Sequence, residues 1–436
     1  MKLARPARRP VVFYGWYIVA AALIGQFISA GTQAYAVGAF LKPMISDLGW
    51  SREEFSLVQT ISVTVGGLLG FVIGGMIDRR GPRLLMFIGG IVTGITVMLT
   101  SQVHELWQFY LIRGVGQAIG LAMVGNLVVN VTVAKWFVVR RGMAVAIASL
   151  GISLGGVIMT PLVTWWVDAY GWRTAWVLLG ILIWVLALPS ALIMRRTPED
   201  VGLLPDGLTR DEAAKYSART KRASAVSEVQ WSRRDALHTS AIWLIIVGYG
   251  SATLGLGALL FHMIPFLTDS GVSRATAALL FAVFSWSALL CKFIWGPLMD
   301  RFHARSLSAF GFAISAISIA ALVMAGESGS GLFMAFALIA YGFGIGGIAP
   351  LQETVWASYF GRAHLGQIRA VAMPFTIFFS AGGPFLGGAL FDRTGSYNSA
   401  FLIFSAFSAL AFVALLIART PAMPVASPES AQTAAL

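Results

Sequence analysis

Charged residues are scarce in this sequence. Asp, Glu, Lys and Arg make up 11% of its 436 residues, whereas a soluble globular protein has about 25%. Hydrophobic residues make up 57%, and the mean hydropathy is +0.78. The deficit of charge is too large to be explained by a big soluble core. It therefore predicts an integral membrane protein.

Groups that perform chemistry are scarce as well. The single cysteine, Cys291, excludes an internal disulfide and a cysteine-rich metal cluster. Five histidines are scattered along the chain, and no Gly-x-x-x-x-Gly-Lys-Ser/Thr loop is present to hold the phosphates of ATP. We therefore expect no enzyme, no metal and no cofactor. A sensor is disfavoured too, because the polar segments are too short for an output domain.

Twelve apolar runs follow one another, each near the roughly 20 residues that a membrane helix requires. They lie near residues 13–40, 54–77, 84–103, 107–134, 142–167, 174–194, 239–262, 276–299, 306–325, 332–358, 366–391 and 399–418. The first run lacks a small-residue cleavage site, so we expect it to remain as a helix. The predicted fold class is an all-α, multi-pass membrane protein.

Lys and Arg are distributed unequally between alternate loops. Basic clusters occupy residues 2–9, 79–83, 135–141 and 195–234. The loops on the other side contain only Lys42, Arg52, Arg173, Arg274 and Arg393. By the positive-inside rule this asymmetry predicts two cytoplasmic termini in the cell inner membrane. The basic residues orient the chain in the lipid bilayer, and we expect no nucleic-acid partner.

A polar segment separates two halves that resemble each other. Residues 195–238 are rich in charge and poor in large aliphatic side chains, which predicts a cytoplasmic linker that is partly disordered or weakly helical. The linker divides a six-helix bundle (1–194) from a second one (239–419), with a cytoplasmic tail at 420–436. An offset of 222 residues aligns Pro, Asp, Gly, Ser and Arg between KPMISDLGWSREE and IPFLTDSGVSRAT.

The constant offset predicts two parallel repeats around a central cavity, the arrangement of transporters that alternate between two open states. Two repeats make one complete pathway in each chain. We therefore expect the protein to function as a monomer.

A loop motif occurs in both halves. GGMIDRRGPR (74–83) resembles the signature loop of the major facilitator superfamily, and GPLMDRFHAR (296–305) is a weaker copy. The glycines would let helices approach closely, and the acids would pair with arginines when the halves tilt. The alternative is a plain positive-inside loop. The predicted conformational latch comprises Gly74, Asp78, Arg79, Arg83, Gly296, Asp300 and Arg301.

Three further stretches narrow the resemblance. FYGWYIV (13–19), KWFVVRRGMAVAIASLGISLGG (135–156) and RRTPEDVGLLPDG (195–207) are similar to the prokaryotic monocarboxylate-porter branch of that superfamily, which includes oxalate:formate antiporters. This resemblance implies a secondary active transporter that moves a small organic anion by proton symport or anion exchange. The alternative function is a facilitator for a neutral or aromatic small molecule.

A lysine, Lys292, interrupts the apolar run LLCKFIWGPLMDR. A charge at the centre of a membrane helix costs about 2.5–3.5 kcal/mol, so its presence indicates a function. The resemblance implies that a cation at this place on helix 8 binds the substrate carboxylate. The alternatives are a lysine that extends to the cytoplasmic face and one that pairs with Glu353.

The sequence departs from the resembled family near this lysine. The acid expected one turn earlier is Ala288, the helix 1 lysine corresponds to Tyr35, and the middle of 374–383 has no second cation. A single central cation favours a monoanion.

Other polar groups within the predicted spans are candidates for binding or coupling. Asn126 and Asn130 share one face of helix 4 and could bind a substrate oxygen or join helices. Tyr35 and Tyr341 could donate hydrogen bonds from the cavity wall.

Arg113 could make structural hydrogen bonds or take part in proton coupling. Glu353 could carry a proton, although pairing with a basic residue at the cytoplasmic edge is favoured. We expect His262 to lie at the membrane interface, with titration during transport as the alternative.

Overall fold

A computed structural model describes residues 13–209, 212, 231, 233–299, 301–361 and 365–421, except the side chains at 71, 78, 233, 365–367 and 370. Helices dominate the described residues. The first half comprises α1 (Gly15–Leu48), α2 (Arg52–Arg80), α3 (Pro82–Gln102), α4 (Leu106–Trp136), α5 (141–170) and α6 (172–193). The second half comprises α7 (Ser240–Asp269), α8 (Arg274–Met299), α9 (Ala304–Ser328), α10 (Gly331–Phe360), α11 (Leu365–Thr394) and α12 (Asn398–Ile417).

Ten helical segments in the described part are long and apolar enough to cross a membrane. One of them, Arg141–Ile193, contains two crossings, because Gly171 has φ 79° and breaks the helix into α5 and α6. The more polar helix α2 is the twelfth. The predicted all-α fold with twelve membrane helices is confirmed, and lipid explains it: a helix satisfies its own backbone hydrogen bonds where water is absent.

The residues that match between the repeats form the same turn twice. Gly49 and Gly271 end α1 and α7 with φ of 71° and 84°, a left-handed backbone that favours glycine. Ser51 and Ser273 then cap α2 and α8, accepting hydrogen bonds from the backbone N–H groups of Glu54 and Thr276. The residues that repeat at the constant offset of 222 positions are therefore those that a helix–turn–helix connection requires.

We name the two ends of the bundle by their position relative to the chain termini. The terminal face is the end at which α1 begins and α12 ends, and the distal face is the opposite end. Each half contains six helices, so α7 begins at the same face as α1. The latch sequences lie at the terminal face.

Several helices are irregular near the middle of the bundle. Gly31–Tyr35 in α1, Tyr110–Gly116 in α4 and Gly155–Met159 in α5 adopt π-helical turns, which often mark functional sites. At Gly155, an added Cβ would lie 3.0 Å from the backbone nitrogen of Gly31. The irregular turns of α1 and α5 therefore pack backbone against backbone.

The first part of the linker is folded onto the terminal face of the first half. We call residues 195–209 the strap. The carboxylate of Asp206 accepts hydrogen bonds from the N–H groups of Val138, Val139 and Arg140, at 2.7, 2.8 and 2.9 Å. Asp206 has φ 59°, a value that few residues other than glycine adopt. This docking was not predicted from composition. Most of the remaining linker, residues 210–230, lies outside the described part.

Candidate functional site

Lys292 lies at an interruption of α8. The helix pauses at Cys291 and resumes as Lys292–Met299. The half-buried ammonium of Lys292 donates a hydrogen bond to the hydroxyl of Ser153 on α5, at 3.2 Å. Ser153 belongs to the first half and Lys292 to the second. The lysine therefore joins the two halves at the centre of the protein.

The lysine side chain extends away from the terminal face. Helices α5 and α8 touch where an added Cβ on Gly156 would lie 2.1 Å from Oγ of Ser285. With a rise of 1.5 Å per residue, Ser153 lies about 4.5 Å from Gly156 in the direction of the terminal face. The backbone of Lys292 lies about 10.5 Å from Ser285 in the same direction. The ammonium thus reaches roughly 6 Å back toward the distal face. This direction is opposite to the predicted alternative in which the lysine extends to the cytoplasmic face.

No ion pair involves Lys292 among the residues that the structure describes. The alternative pairing with Glu353 is not observed. Glu353 is exposed and binds the guanidinium of Arg369, near the terminal face. The ammonium of Lys292 therefore lies in the protein interior with a neutral hydroxyl as its partner.

An amide cluster joins α1 to α4 within the first half. The Gln26 side chain of α1 is 2% exposed, and its amide donates to Oδ1 of Asn126 at 2.9 Å and to Oδ1 of Asn130 at 3.3 Å. Asn130 also donates to Oδ1 of Asn126, so the predicted pair shares one face. Asn126 is exposed, and its own N–H groups have no partner in the described part. They remain available to donate to another molecule.

Helix α5 places this cluster and the lysine at a similar depth. An added Cβ on Gly151 would lie 3.0 Å from Cβ of Gln26. Ser153, the partner of Lys292, is two residues farther along α5, a rise of about 3 Å. Gln26 and Ser153 were not identified from the sequence. Each is a polar residue within an apolar run, and this was the only feature of the sequence that could have identified it as a candidate.

The two candidate tyrosines belong to an aromatic chain beside this region. The ring of Tyr35 packs edge-on against Phe281 at 5.7 Å, and the ring of Tyr341 stacks on Phe284 at 5.4 Å. Phe281 and Phe284 are themselves in contact. Neither tyrosine hydroxyl has a hydrogen-bond partner among the described residues. Both helices, α1 and α10, thus present aromatic surface next to α8.

Arg113 lies inside the first half, away from the seam between the halves. It is 2% exposed; its guanidinium donates to Oε1 of Gln117 and, at 3.1 Å, to the carbonyl of Thr32. It also lies over the ring of Trp176, 4.9 Å from the centroid. These contacts join α4 to α1 and α6.

His262 is fully buried inside the protein, near the distal end of α7. Its predicted depth at the membrane interface stays a prediction. Nδ1 is 2.9 Å from the hydroxyl of Tyr397, and Nε2 is 2.7 Å from the carbonyl of Pro384. A neutral ring satisfies both, with Nε2–H donating to Pro384 and Nδ1 accepting from Tyr397. Hydropathy could not reveal this, because α11 and the turn before α12 cover the histidine.

The structure describes only part of the predicted latch. An added Cβ on Gly74 or Gly296 would meet no atom within 4 Å, so neither glycine packs against a described neighbour. Arg79, Arg83 and Arg301 are exposed. The side chain of Asp78 and all of Asp300 lie outside the described part.

The distal face, in contrast, is closed by ion pairs between the halves. Asp269 of α7 binds both Lys42 and Arg52 at 2.6 Å, and Arg274 of α8 binds Asp168 at 2.9 Å. Asp392 of α11 accepts from the N–H groups that begin α2, at 3.2 and 2.7 Å. Within the described ranges, every polar contact between the halves lies at Ser153–Lys292 or nearer the distal face. The described polar contacts therefore hold the halves together on the distal side.

The structure thus brings together some predicted residues and separates others. Lys292 and Tyr35 contact the opposite half, and Tyr341 stacks on Phe284 of α8. Asn126 and Asn130 bind Gln26 within the first half. Arg113, His262 and Glu353 are bound elsewhere. A cation with neutral hydrogen-bond donors, located where two halves meet, is suited to hold a small anion during a relative movement of the halves.

Comparisons with known proteins agree with this architecture. The sequence profile of the Major Facilitator Superfamily matches residues 22–273 and again residues 245–436. Monocarboxylate transporter 11 of Mus musculus is 26% identical over 410 residues, which cover 92% of this chain and 87% of that protein. The oxalate:formate antiporter of Oxalobacter formigenes is 24% identical over 406 residues, covering 91% and 90%.

A solved structure supports the fold independently. The crystal structure of a D-xylose-proton symporter superimposes with a TM-score of 0.72 at 15% identity, covering 93% of this chain and 98% of that one. A likeness at this identity concerns the fold alone. The two profile matches together extend over most of the chain, and each covers most of one half. This chain is a multi-pass membrane protein and belongs to the major facilitator superfamily of transporters.

Proposed function

We propose that this chain transports a small organic monocarboxylate across the cell inner membrane by alternating access, and that Lys292 holds the carboxylate. The observation that supports this most directly is the interhalf contact of Lys292, whose ammonium has Ser153 as its described partner. A buried charge is stabilised by an opposite charge. A substrate carboxylate would supply that charge.

The surroundings of Lys292 favour a monoanion with further polar contacts. A lysine is a compact point charge that binds one carboxylate without the two-pronged geometry of arginine. The free N–H groups of Asn126 and the hydroxyls of Tyr35 and Tyr341 would donate to other oxygens. The names of the relatives, monocarboxylate transporters and an oxalate:formate antiporter, agree with this substrate class.

We further propose that the terminal face is cytoplasmic and that the structure represents the inward-open state. The basic clusters at that face support the orientation. The ion pairs at the distal face and the open space around Gly74 and Gly296 support the state. The latch would form when the halves close at the terminal face.

The test is uptake of labelled carboxylates into proteoliposomes that contain the purified protein. Lys292→Met keeps the length of the side chain and removes its charge, whereas Lys292→Arg keeps the charge. A charge-assisted hydrogen bond is worth about 1.5–3 kcal/mol. We therefore expect Lys292→Met to lose roughly 100-fold in kcat/KM and Lys292→Arg to retain most uptake.

Uptake that is equal in Lys292→Met and the parent protein would contradict the proposal. The aromatic chain of Tyr35, Phe281, Phe284 and Tyr341 would then favour the second candidate, a facilitator for neutral aromatic compounds. Repeating the assay with an imposed pH gradient, and with a carboxylate preloaded inside the vesicles, distinguishes proton symport from anion exchange.

A further inference from the structure

A proline lies inside α1 and another inside α7, at matching places of the two repeats. Pro43 and Pro265 are 222 positions apart. Proline has no backbone N–H, so the carbonyl four residues earlier loses its usual helical donor, and the proline ring crowds that carbonyl. The carbonyls concerned are those of Ala39 and Phe261, which match at the same offset. Each repeat therefore contains one backbone acceptor that lacks its usual partner.

The two carbonyls have different neighbours. The carbonyl of Ala39 accepts a hydrogen bond from the guanidinium of Arg274, at the start of α8 in the other half, at 2.7 Å. The carbonyl of Phe261 faces Gly38 of α1, where an added Cβ would lie 2.8 Å from the oxygen. Among the described residues, no side chain donates to it. One freed carbonyl thus holds a cation of the opposite half, whereas the other packs against backbone.

Arg274 has a second partner in the first half. Through its other terminal nitrogen it binds the carboxylate of Asp168, at the distal end of α5, at 2.9 Å. A guanidinium presents its N–H groups in a fixed planar fork, so it can serve two acceptors at once. We call Arg274, Asp168 and the carbonyl of Ala39 the clasp. The clasp ties α1 and α5 of the first half to the start of α8 in the second.

The corresponding arginine of the other repeat, Arg52, binds differently. Its guanidinium pairs with Asp269 of α7 at 2.6 Å and does not reach the freed carbonyl of Phe261. Asp392, at the distal end of α11, accepts from the backbone N–H of Arg52 at 3.2 Å. The described part of the chain therefore contains the clasp in one repeat only, although both repeats have the proline. This difference makes Pro265 a matched control for Pro43.

We propose that the clasp locks the distal face in its closed state and that Pro43 strengthens this lock. In the closed state the carbonyl of Ala39 has the guanidinium of Arg274 as its donor. When the halves part at the distal face, the carbonyl loses that donor and finds no N–H at position 43 to replace it. Opening therefore costs a charge-assisted hydrogen bond. The inference rests on the alternating access of the proposed function and does not depend on the identity of the substrate.

The measurement is the distance between spin labels at His104 and Arg393, on the distal face of each half. The Cys291→Ala background leaves no other cysteine to be labelled. A longer distance component reports molecules whose distal face is open. The ratio of open to closed molecules is the quantity to compare between variants.

Pro43→Ala should raise that ratio about fivefold, because the restored N–H satisfies the carbonyl of Ala39 in the open state. Pro265→Ala should change the ratio less than about twofold, since the carbonyl of Phe261 has no described side-chain donor to lose. Arg274→Met should raise the ratio about tenfold. In the Arg274→Met background, Pro43→Ala should add less than about twofold, because the two variants remove the same hydrogen bond.

Two results would overturn the inference while leaving the proposed function intact. One is an equal ratio in Pro43→Ala and Pro265→Ala, a comparison that decides even where Arg274→Met does not fold. The other is a pair of independent effects, in which those of Pro43→Ala and Arg274→Met multiply in the double variant. If neither the variants nor an added carboxylate changes the label distances, alternating access itself fails, and the proposed function with it.

Discussion

The ammonium of Lys292 on α8 donates to the hydroxyl of Ser153 on α5, at 3.2 Å, across the boundary between the two halves. The residues are 139 positions apart in the sequence. In the proposed alternating-access cycle the two halves move relative to each other, so the geometry of this contact would change during each cycle. We propose that Ser153 positions the cation in the inward-open state and that the same hydroxyl donates to an anion that binds there.

Ser153→Ala tests this positioning role. Removing the hydroxyl takes away one partner of the ammonium, a loss of about 1 kcal/mol. We expect KM for carboxylate uptake to rise roughly fivefold, with a smaller change in kcat. Ser149→Ala is the matched control one turn earlier, since that hydroxyl donates only to the Val145 carbonyl of its own helix. Equal KM values for the two variants would contradict the assignment.

The distal ion pairs should bias the balance between the two open states. Asp269→Asn keeps the shape of the side chain but removes the charge that both Lys42 and Arg52 contact. Partly exposed ion pairs contribute up to about 1 kcal/mol each. We therefore expect the ratio of distal-open to distal-closed molecules to rise about fivefold to tenfold.

Spin labels at His104 and Arg393, on the distal face of each half, would report that change as a longer distance component. The Cys291→Ala background removes the single native cysteine. Asp47→Asn is the control, because Asp47 pairs with Arg173 inside the first half. A distance distribution that shifts equally in both variants would rule out a specific role of Asp269.

The strap makes a prediction about stability. The carboxylate of Asp206 accepts hydrogen bonds from three backbone N–H groups, and the backbone of Asp206 has a positive φ. Asp206→Asn should cost about 1–2 kcal/mol, and Asp206→Ala should cost more because alanine tolerates this φ poorly. Asp206→Gly should be more stable than Asp206→Ala, since glycine adopts the conformation freely.

Thermal unfolding of the three variants in detergent provides the measurement. The expected order of melting temperatures is the parent protein, then Asn, then Gly, then Ala. Identical melting temperatures for all four proteins would show that the strap is not docked in solution.

His262 should serve structure rather than proton transfer. His262→Leu removes the hydrogen bonds to the carbonyl of Pro384 and to the hydroxyl of Tyr397, which should cost about 2 kcal/mol and lower the melting temperature. His262→Gln can still donate to Pro384 and should be destabilised less. The pH dependence of uptake should be the same in His262→Gln and the parent protein. A loss of that dependence in His262→Gln would instead make the histidine a coupling group.

The sequence by itself determined the helices and their connections. Long apolar runs must form helices in lipid, because only a helix satisfies every backbone N–H and C=O within one segment. The repeat of Gly49–Ser51 at Gly271–Ser273 specified two equal turns, since a left-handed backbone and an N-cap each require particular residues. The anomalous charge of Lys292 was also evident, because charge is costly wherever a membrane helix carries it.

Only the tertiary structure decided which polar groups meet. Lipid tails are as apolar as leucine, so hydropathy does not tell which side of a membrane helix faces lipid and which faces another helix. The sequence therefore gave no sign that Gln26 contacts Asn126 or that Ser153 contacts Lys292. The burial of His262 and the docking of Asp206 depend in the same way on elements far away in the chain. Rotation and packing of the helices fix these contacts, and a single sequence does not encode them as a local pattern.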